Sequence, residues 1–291
     1  MSSLADGWRL AVGTLTVLPT RPPRQVDDTT AASAMALAPV VGLLLAVPAV
    51  VLVRVLHADR PPLVPGSRAS TFLVAALVIG LLALLTRGMH LDGLADTADG
   101  LGSGKAPGEA LAVMRKSDIG PFGVLTLVLV LLVQVAALTQ LLGRGFGTPA
   151  LLVALTVSRL ALPLACSRGI PAARPEGLGH LVAGTVGRGR LVLSTVVAVA
   201  ALLAVFLVAA AVTPDVTVGL PAPVDAELVA ASRYGLGWLL AGLATTVVVP
   251  LGVTALFLRR CLRRFGGVTG DVLGACVEVT FTSVLLVSCL L

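Results

Sequence analysis

The chain has 291 residues, 57% of them hydrophobic and only 12% charged, with a mean hydropathy of +1.01. A soluble domain carries about 25% charged residues, so that class is excluded. The net charge of +6 does not imply nucleic acid as a partner, because no helix-turn-helix, zinc-finger or RNP-like pattern is present. The basic residues instead sit beside apolar runs, where they set orientation and meet anionic headgroups.

Long apolar runs separated by short basic segments predict an all-α, polytopic membrane bundle of about seven helices, a single domain across 1–291. The N-terminus lacks the basic region, apolar core and small-residue cleavage site of a signal peptide. Residues 8–20 are too short to span and are expected at the interface. Crossings are expected near 31–56, 69–86, 121–142, 147–166, 191–213, 236–258 and 272–291. The first contains Pro39 and Pro48 and the second is short, so either can kink or merge with its loop. Cys166, Cys261, Cys276 and Cys289 show neither CxxC pairing nor metal spacing and read as buried thiols.

If the seven alternate, 15 of the 21 Lys and Arg fall on one side of the membrane. The other side receives only Arg54, Arg60, Arg68, Arg144 and Arg233, and Arg159 falls inside a span. That bias puts the richer side, with the N-terminus, in the cytoplasm. Four polar, glycine-containing segments share it: RGMHLDGLADTADG (87–100), MRKSDIGPFG (114–123), ARPEGLGH (173–180) and RRFGGVTGDVLG (263–274). Together they are expected to line one site at the cytoplasmic face.

Asp92, Asp96 and Asp99 follow an i, i+4, i+7 spacing, which places them within roughly 60° of one another on a helix. Three carboxylates on one stripe repel unless a cation neutralises them. A hard divalent ion with oxygen ligands, Mg²⁺ or Mn²⁺, meets that need. The alternative is a solvated helix face. Gly93 and Gly100 favour the metal, since they remove bulk and allow close approach. Asp271 lies in a second Gly-rich stretch on the same side, with Glu278 seven residues on. A metal bridging two phosphates would neutralise the charge of phosphoryl transfer. Lys105, Arg115, Lys116 and Arg168 are candidates to hold a diphosphate, although such residues also serve as topology determinants. Arg159, placed inside a helix, needs an anionic partner.

HLDGLADTADGL (90–101), MRKSDIGPFG, ARPEGLG and GGVTGDVLGA (266–275) together resemble the cobalamin synthase family, the integral membrane adenosylcobinamide-GDP ribazoletransferases. The resemblance runs in order along most of the chain. It implies that a ribose hydroxyl of α-ribazole, or of its 5′-phosphate, attacks the cobinamide-linked phosphorus of adenosylcobinamide-GDP and GMP leaves. It also implies Mg²⁺, a multi-pass location in the bacterial cytoplasmic membrane, and Asp92, Asp96 and Asp99 as metal ligands. Asp118 and Asp271 become candidates for a further ligand or the proton acceptor. His90 and His180 are candidates for proton transfer or hydrogen bonding, and Gly266, Gly267 and Gly270 suit a phosphate-facing loop. Where the family often has Glu, this chain has Leu91. A homodimer is compatible with a polar-lined bundle.

Two other classes compete. A membrane phosphotransferase of the CDP-alcohol type would extend the acidic motif with an Ala-Arg pair and further Asp residues, where this chain reads LGSGKAPGEA (101–110). An ion-coupled transporter would place its acids near the bilayer midplane, between repeats; here they follow a span.

Overall fold

The computed structural model describes residues 2–57, 69–212 and 235–291. Eleven helices fill these residues. They are α1 (Ser2–Leu15), α2 (Asp28–His57), α3 (Thr71–Leu85), α4 (Met89–Gly102), α5 (Pro107–Val113) and α6 (Pro121–Gly143), then α7 (Gly147–Ala165), α8 (Leu178–Val182), α9 (Arg188–Val212), α10 (Gly235–Phe265) and α11 (Gly270–Leu290). The chain is all-α, and only two isolated bridges, Ser167 with Val186 and Ala172 with Val268, tie loop segments together among the described residues.

Five helices are long and apolar enough to cross a membrane: α2, α6, α7, α10 and α11. α3 joins them only in combination with α4, to which it is bent by 88°. The expected crossing at 69–86 is therefore a broken one. Its 15 residues extend about 22 Å, short of the ~30 Å hydrocarbon core. The expected 191–213 coincides with α9, 25 residues long, whose final side chains lie outside the described residues. Arg60, Arg68 and Arg233, three of the basic residues assigned to the opposite side, also lie outside them. Pro39 and Pro48 leave α2 a single helix.

α7 is the centre of the bundle, with nearly every residue buried. α2 packs on it closely enough that a Cβ at Gly42 would meet the backbone of Leu155 and lie 3.2 Å from Cα of Thr156. α6 takes the opposite position: Val124, Leu125, Val128, Leu129 and Leu132 are all exposed. In lipid an outward apolar face needs no cover. The N-terminal segment forms a helix from residue 2 rather than 8, burying Ala11, Val12 and Leu15 against the start of α2.

The right angle between α3 and α4 comes from two consecutive left-handed residues, Arg87 (φ 56°) and Gly88 (φ 65°). A glycine adopts that conformation without penalty, whereas a residue with a Cβ does so at a cost of about 1–2 kcal/mol. Contacts from α1 offset the cost at Arg87. Its Nη2 donates to the carbonyls of Gly13 (2.7 Å) and Thr16 (3.0 Å). The Val17 amide donates to the Leu85 carbonyl (2.8 Å). α4 thus turns away from α3 and lies over the first turns of α6 and α11.

Candidate active site

α4 carries the three aspartates on a real helix, as the spacing requires, but they are not equivalent. Asp92 is exposed, Asp96 half-buried and Asp99 buried. Gly93 explains why α4 can sit against α11: a Cβ there would fall 2.6 Å from the Asp271 carbonyl oxygen and 2.9 Å from its Cα. Gly274 is its counterpart, facing the His90 backbone at 3.1 Å. Through these contacts two segments some 175 residues apart bring Asp92, Asp96 and Asp271 to one place.

Asp271 opens α11. Thr269 is the N-cap, its Oγ1 accepting from the Val272 amide at 3.2 Å, and the same hydroxyl donates to Asp271 Oδ2 at 3.2 Å. Arg174 approaches from the loop after α7, with Nη1 3.6 Å from Asp271 Oδ2. Its Nη2 donates to the Leu111 carbonyl at 2.8 Å, while its buried Nε has no hydrogen-bond partner. Burial holds the Arg174 guanidinium below its ordinary value, opposed chiefly by Asp271. Arg115 and Glu176 pair at 2.9 Å on the surface and join two of the polar segments, a contact of little energetic weight.

Asp96 registers the crowding. Desolvation first, then the charges of Asp92, Asp271 and Asp99, push its carboxyl up to about 7, with Arg174 opposing. Carboxylates forced together in this way favour either a proton or a cation. Among the described residues no three His, Cys, Asp or Glu side chains already surround one point. What fits Mg²⁺ is the donor set: hard oxygen ligands, excess negative charge, and an orphaned Arg174 Nε beside it suited to a phosphate oxygen.

Asp99, unlike Asp92 and Asp96, also serves as a helix cap. Its Oδ2 accepts from the Gly120 amide (2.8 Å) and its Oδ1 from the Gly123 amide (3.0 Å). These are among the orphan donors at the start of α6, which has no side-chain cap of its own. A carboxylate there also complements the helix dipole. Gly267 is likewise a packing residue. A Cβ on it would meet the backbone of Ala172 and Ala173, where Val268 exchanges backbone hydrogen bonds with Pro171 and Ala173 at 2.9 Å each. Gly270 is open, its nearest neighbour being Leu178 at 3.6 Å.

Lys116 and Asp118 are exposed in the loop between α5 and α6, and His180 is exposed on α8. His90 is buried at the start of α4, with neither ring nitrogen hydrogen-bonded. Arg159 is 3% exposed, as its place inside a helix requires, and donates from Nη1 to Ser158 Oγ at 2.9 Å. It shares a cavity with Leu91, Gln134, Glu278 and Phe281. Glu278 Oε2 accepts from Gln134 Nε2 at 2.8 Å. Leu91 thus faces a polar interior that draws its carboxylate from α11. Sequence reasoning passed over Gln134, although an amide in the middle of an apolar 23-residue helix is itself a signal. It also left Arg174 among the topology determinants.

No solved structure matches the chain. Curated relatives do. A protein of Frankia casuarinae is 45% identical over 284 residues, covering 96% of this chain and 92% of its own. One of a Nocardioides species is 40% identical, covering 97% and 98%, and one of Syntrophobacter fumaroxidans is 36% identical, covering 94% and 93%. All three are named adenosylcobinamide-GDP ribazoletransferase. Cobalamin-5-phosphate synthase is the family that matches residues 7–289. With nearly the whole chain covered in each comparison, the protein belongs to the cobalamin-5-phosphate synthase family.

Proposed function

We propose that the chain is an adenosylcobinamide-GDP ribazoletransferase, acting at the cytoplasmic face of a bacterial cytoplasmic membrane. Family membership supports the substrates. The observation that carries the site is the meeting of Asp92 and Asp96 with Asp271 and Arg174 across the Gly93 contact. A chain with only 12% charged residues sets two acids of α4 beside a third on α11 and a half-buried guanidinium.

In this reading a ribose hydroxyl of α-ribazole, or of its 5′-phosphate, attacks the phosphorus nearest the cobinamide. The new P–O bond forms as the bond to the GMP phosphate breaks, and the hydroxyl proton passes to a carboxylate at this end. Asp92, Asp96 and Asp271 would hold Mg²⁺, which when bound neutralises charge on the diphosphate and the departing GMP. Arg174 orients a phosphate oxygen through its unpaired Nε. Asp118, exposed shortly before the amides that Asp99 holds, is free to take the proton. Asp99 keeps α6 and its preceding loop in place. The cytoplasmic orientation rests on the bias in Lys and Arg between the two sides.

The test is an assay of purified protein with adenosylcobinamide-GDP, α-ribazole and Mg²⁺, following GMP. Asp96→Ala is expected to abolish its release while membrane insertion stays intact; near-normal turnover would sink the assignment. A cysteine introduced within 103–108 should resist labelling from outside intact cells, and ready labelling would reverse the orientation.

A further inference from the structure

α10 ends in four arginines within six residues: Arg259, Arg260, Arg263 and Arg264. A helix C-terminus is complemented by one or two cations, so four exceed what the dipole asks. Arg264 is engaged, its Nη2 donating to the Lys105 carbonyl. Arg259, Arg260 and Arg263 are exposed, and none of them has an ion pair or hydrogen bond among the described residues. With Leu256 the four line one recess.

An apolar stripe runs into this cluster. Val249, Val253 and Leu256 lead to Arg260 and Arg263 at i, i+4, i+7, i+11 and i+14, all within about 80° on a helix. The three apolar residues are 45%, 41% and 66% exposed. They lie in a candidate crossing, Ala244–Phe265, and so face acyl chains. Leu256 is about 6 Å below Arg260 along the axis, the step from hydrocarbon to headgroup.

We infer that this end of α10 is a binding site for an anionic phospholipid. The lipid phosphate lies between Arg260 and Arg263, flanked by Arg259 and Arg264, and one acyl chain follows Leu256, Val253 and Val249. A guanidinium fork matches phosphate oxygens in pairs. A zwitterionic lipid offers the same phosphate but brings its own cation, leaving the mutual repulsion of the arginines in place. A headgroup with net negative charge relieves it. Setting orientation requires only positive charge on the correct side; it does not require the arginines to continue a lipid-facing stripe. A soluble phosphate would use the arginines and leave the stripe without a role.

The experiment uses the full chain in nanodiscs of phosphatidylcholine, with and without phosphatidylglycerol. Phosphatidylglycerol is expected to raise the melting temperature by about 3 °C or more and to co-purify in native mass spectrometry. R260Q/R263Q should lose most of both effects, and R260K/R263K should keep part, since the charge remains without the fork. R188Q/R190Q, a basic pair at the start of α9, should keep both. Should R260Q/R263Q fold poorly, the single variant R263Q read by lipid retention takes its place. The inference falls if wild type does not distinguish the two lipids or if the double glutamine variant keeps the full shift. It also falls if inorganic phosphate in phosphatidylcholine discs produces the same rise, which would mark a site for soluble phosphate.

Discussion

Gly93→Ala is the sharpest perturbation available, because it adds one methyl group to the helix contact that assembles the site. The new Cβ would lie 2.6 Å from the Asp271 carbonyl oxygen and 2.9 Å from its Cα. Both are backbone atoms, so no rotamer change relieves the clash. Restoring an ordinary contact requires α4 and α11 to separate by about 0.8 Å, and overpacking of this kind costs about 1–3 kcal/mol. Alanine's better helix propensity returns up to about 1 kcal/mol, which leaves a modest net destabilisation. The effect on chemistry is larger, since a displacement approaching 1 Å of a reacting group costs on the order of 100-fold in rate. GMP release should therefore fall by roughly one to two orders of magnitude, and more Mg²⁺ should be needed. Gly80→Ala is the control, as a Cβ there meets nothing within 4 Å. Calorimetry in detergent and a Mg²⁺ titration of turnover read the two effects separately. Wild-type turnover and Mg²⁺ dependence in Gly93→Ala would refute the claim that this contact sets the carboxylate geometry.

Asp99→Ala removes a buried carboxylate that accepts two amide hydrogen bonds and should destabilise the protein by about 2–3 kcal/mol. A variant with an unchanged melting temperature and lost Mg²⁺ dependence would instead return Asp99 to the metal set. Asp96, raised from 3.8 to about 7, binds a proton in the folded chain that the unfolded chain has released. With metal chelated, stability should therefore fall as pH rises from about 4 through 7, and Asp96→Asn should flatten that slope. Mg²⁺-induced stabilisation should in turn weaken about tenfold in affinity per pH unit below 7, because the ion displaces the proton. Arg159 and Glu278, both among the described residues, line one cavity without a direct ion pair, so Arg159→Leu or Glu278→Leu alone leaves the other charge uncompensated and should cost about 1–3 kcal/mol. The double variant should be less harmful than either single one. Simple additivity in the melting temperatures would show that the two charges do not interact.

The sequence made the class, most of the crossings and the acidic stripe legible because each rests on local periodicity or composition. An i, i+4, i+7 spacing specifies a helical face whatever packs against it. It does not specify what that face meets. Asp99 shares the stripe with Asp92 and Asp96, yet it turns to the amides of α6, a choice set by a neighbour more than 20 residues away. Gly267 looked like a phosphate loop for a similar reason: glycine marks close approach, and only the fold shows that the approaching group is the Ala172 backbone. The break after α3 was visible only as shortness. The left-handed pair that produces it depends on Arg87 reaching carbonyls more than 70 residues earlier.

That same bend bears on the order in which the protein is built. Arg87 and α1 belong to the first third of the chain, so α4 can take its place across the bundle while most of the protein is still on the ribosome. Asp271 arrives only with α11. Until α11 follows, Asp92 and Asp96 lack the Asp271 partner that completes the cluster, so a chain halted before it has nothing yet for the proposed cation to bind.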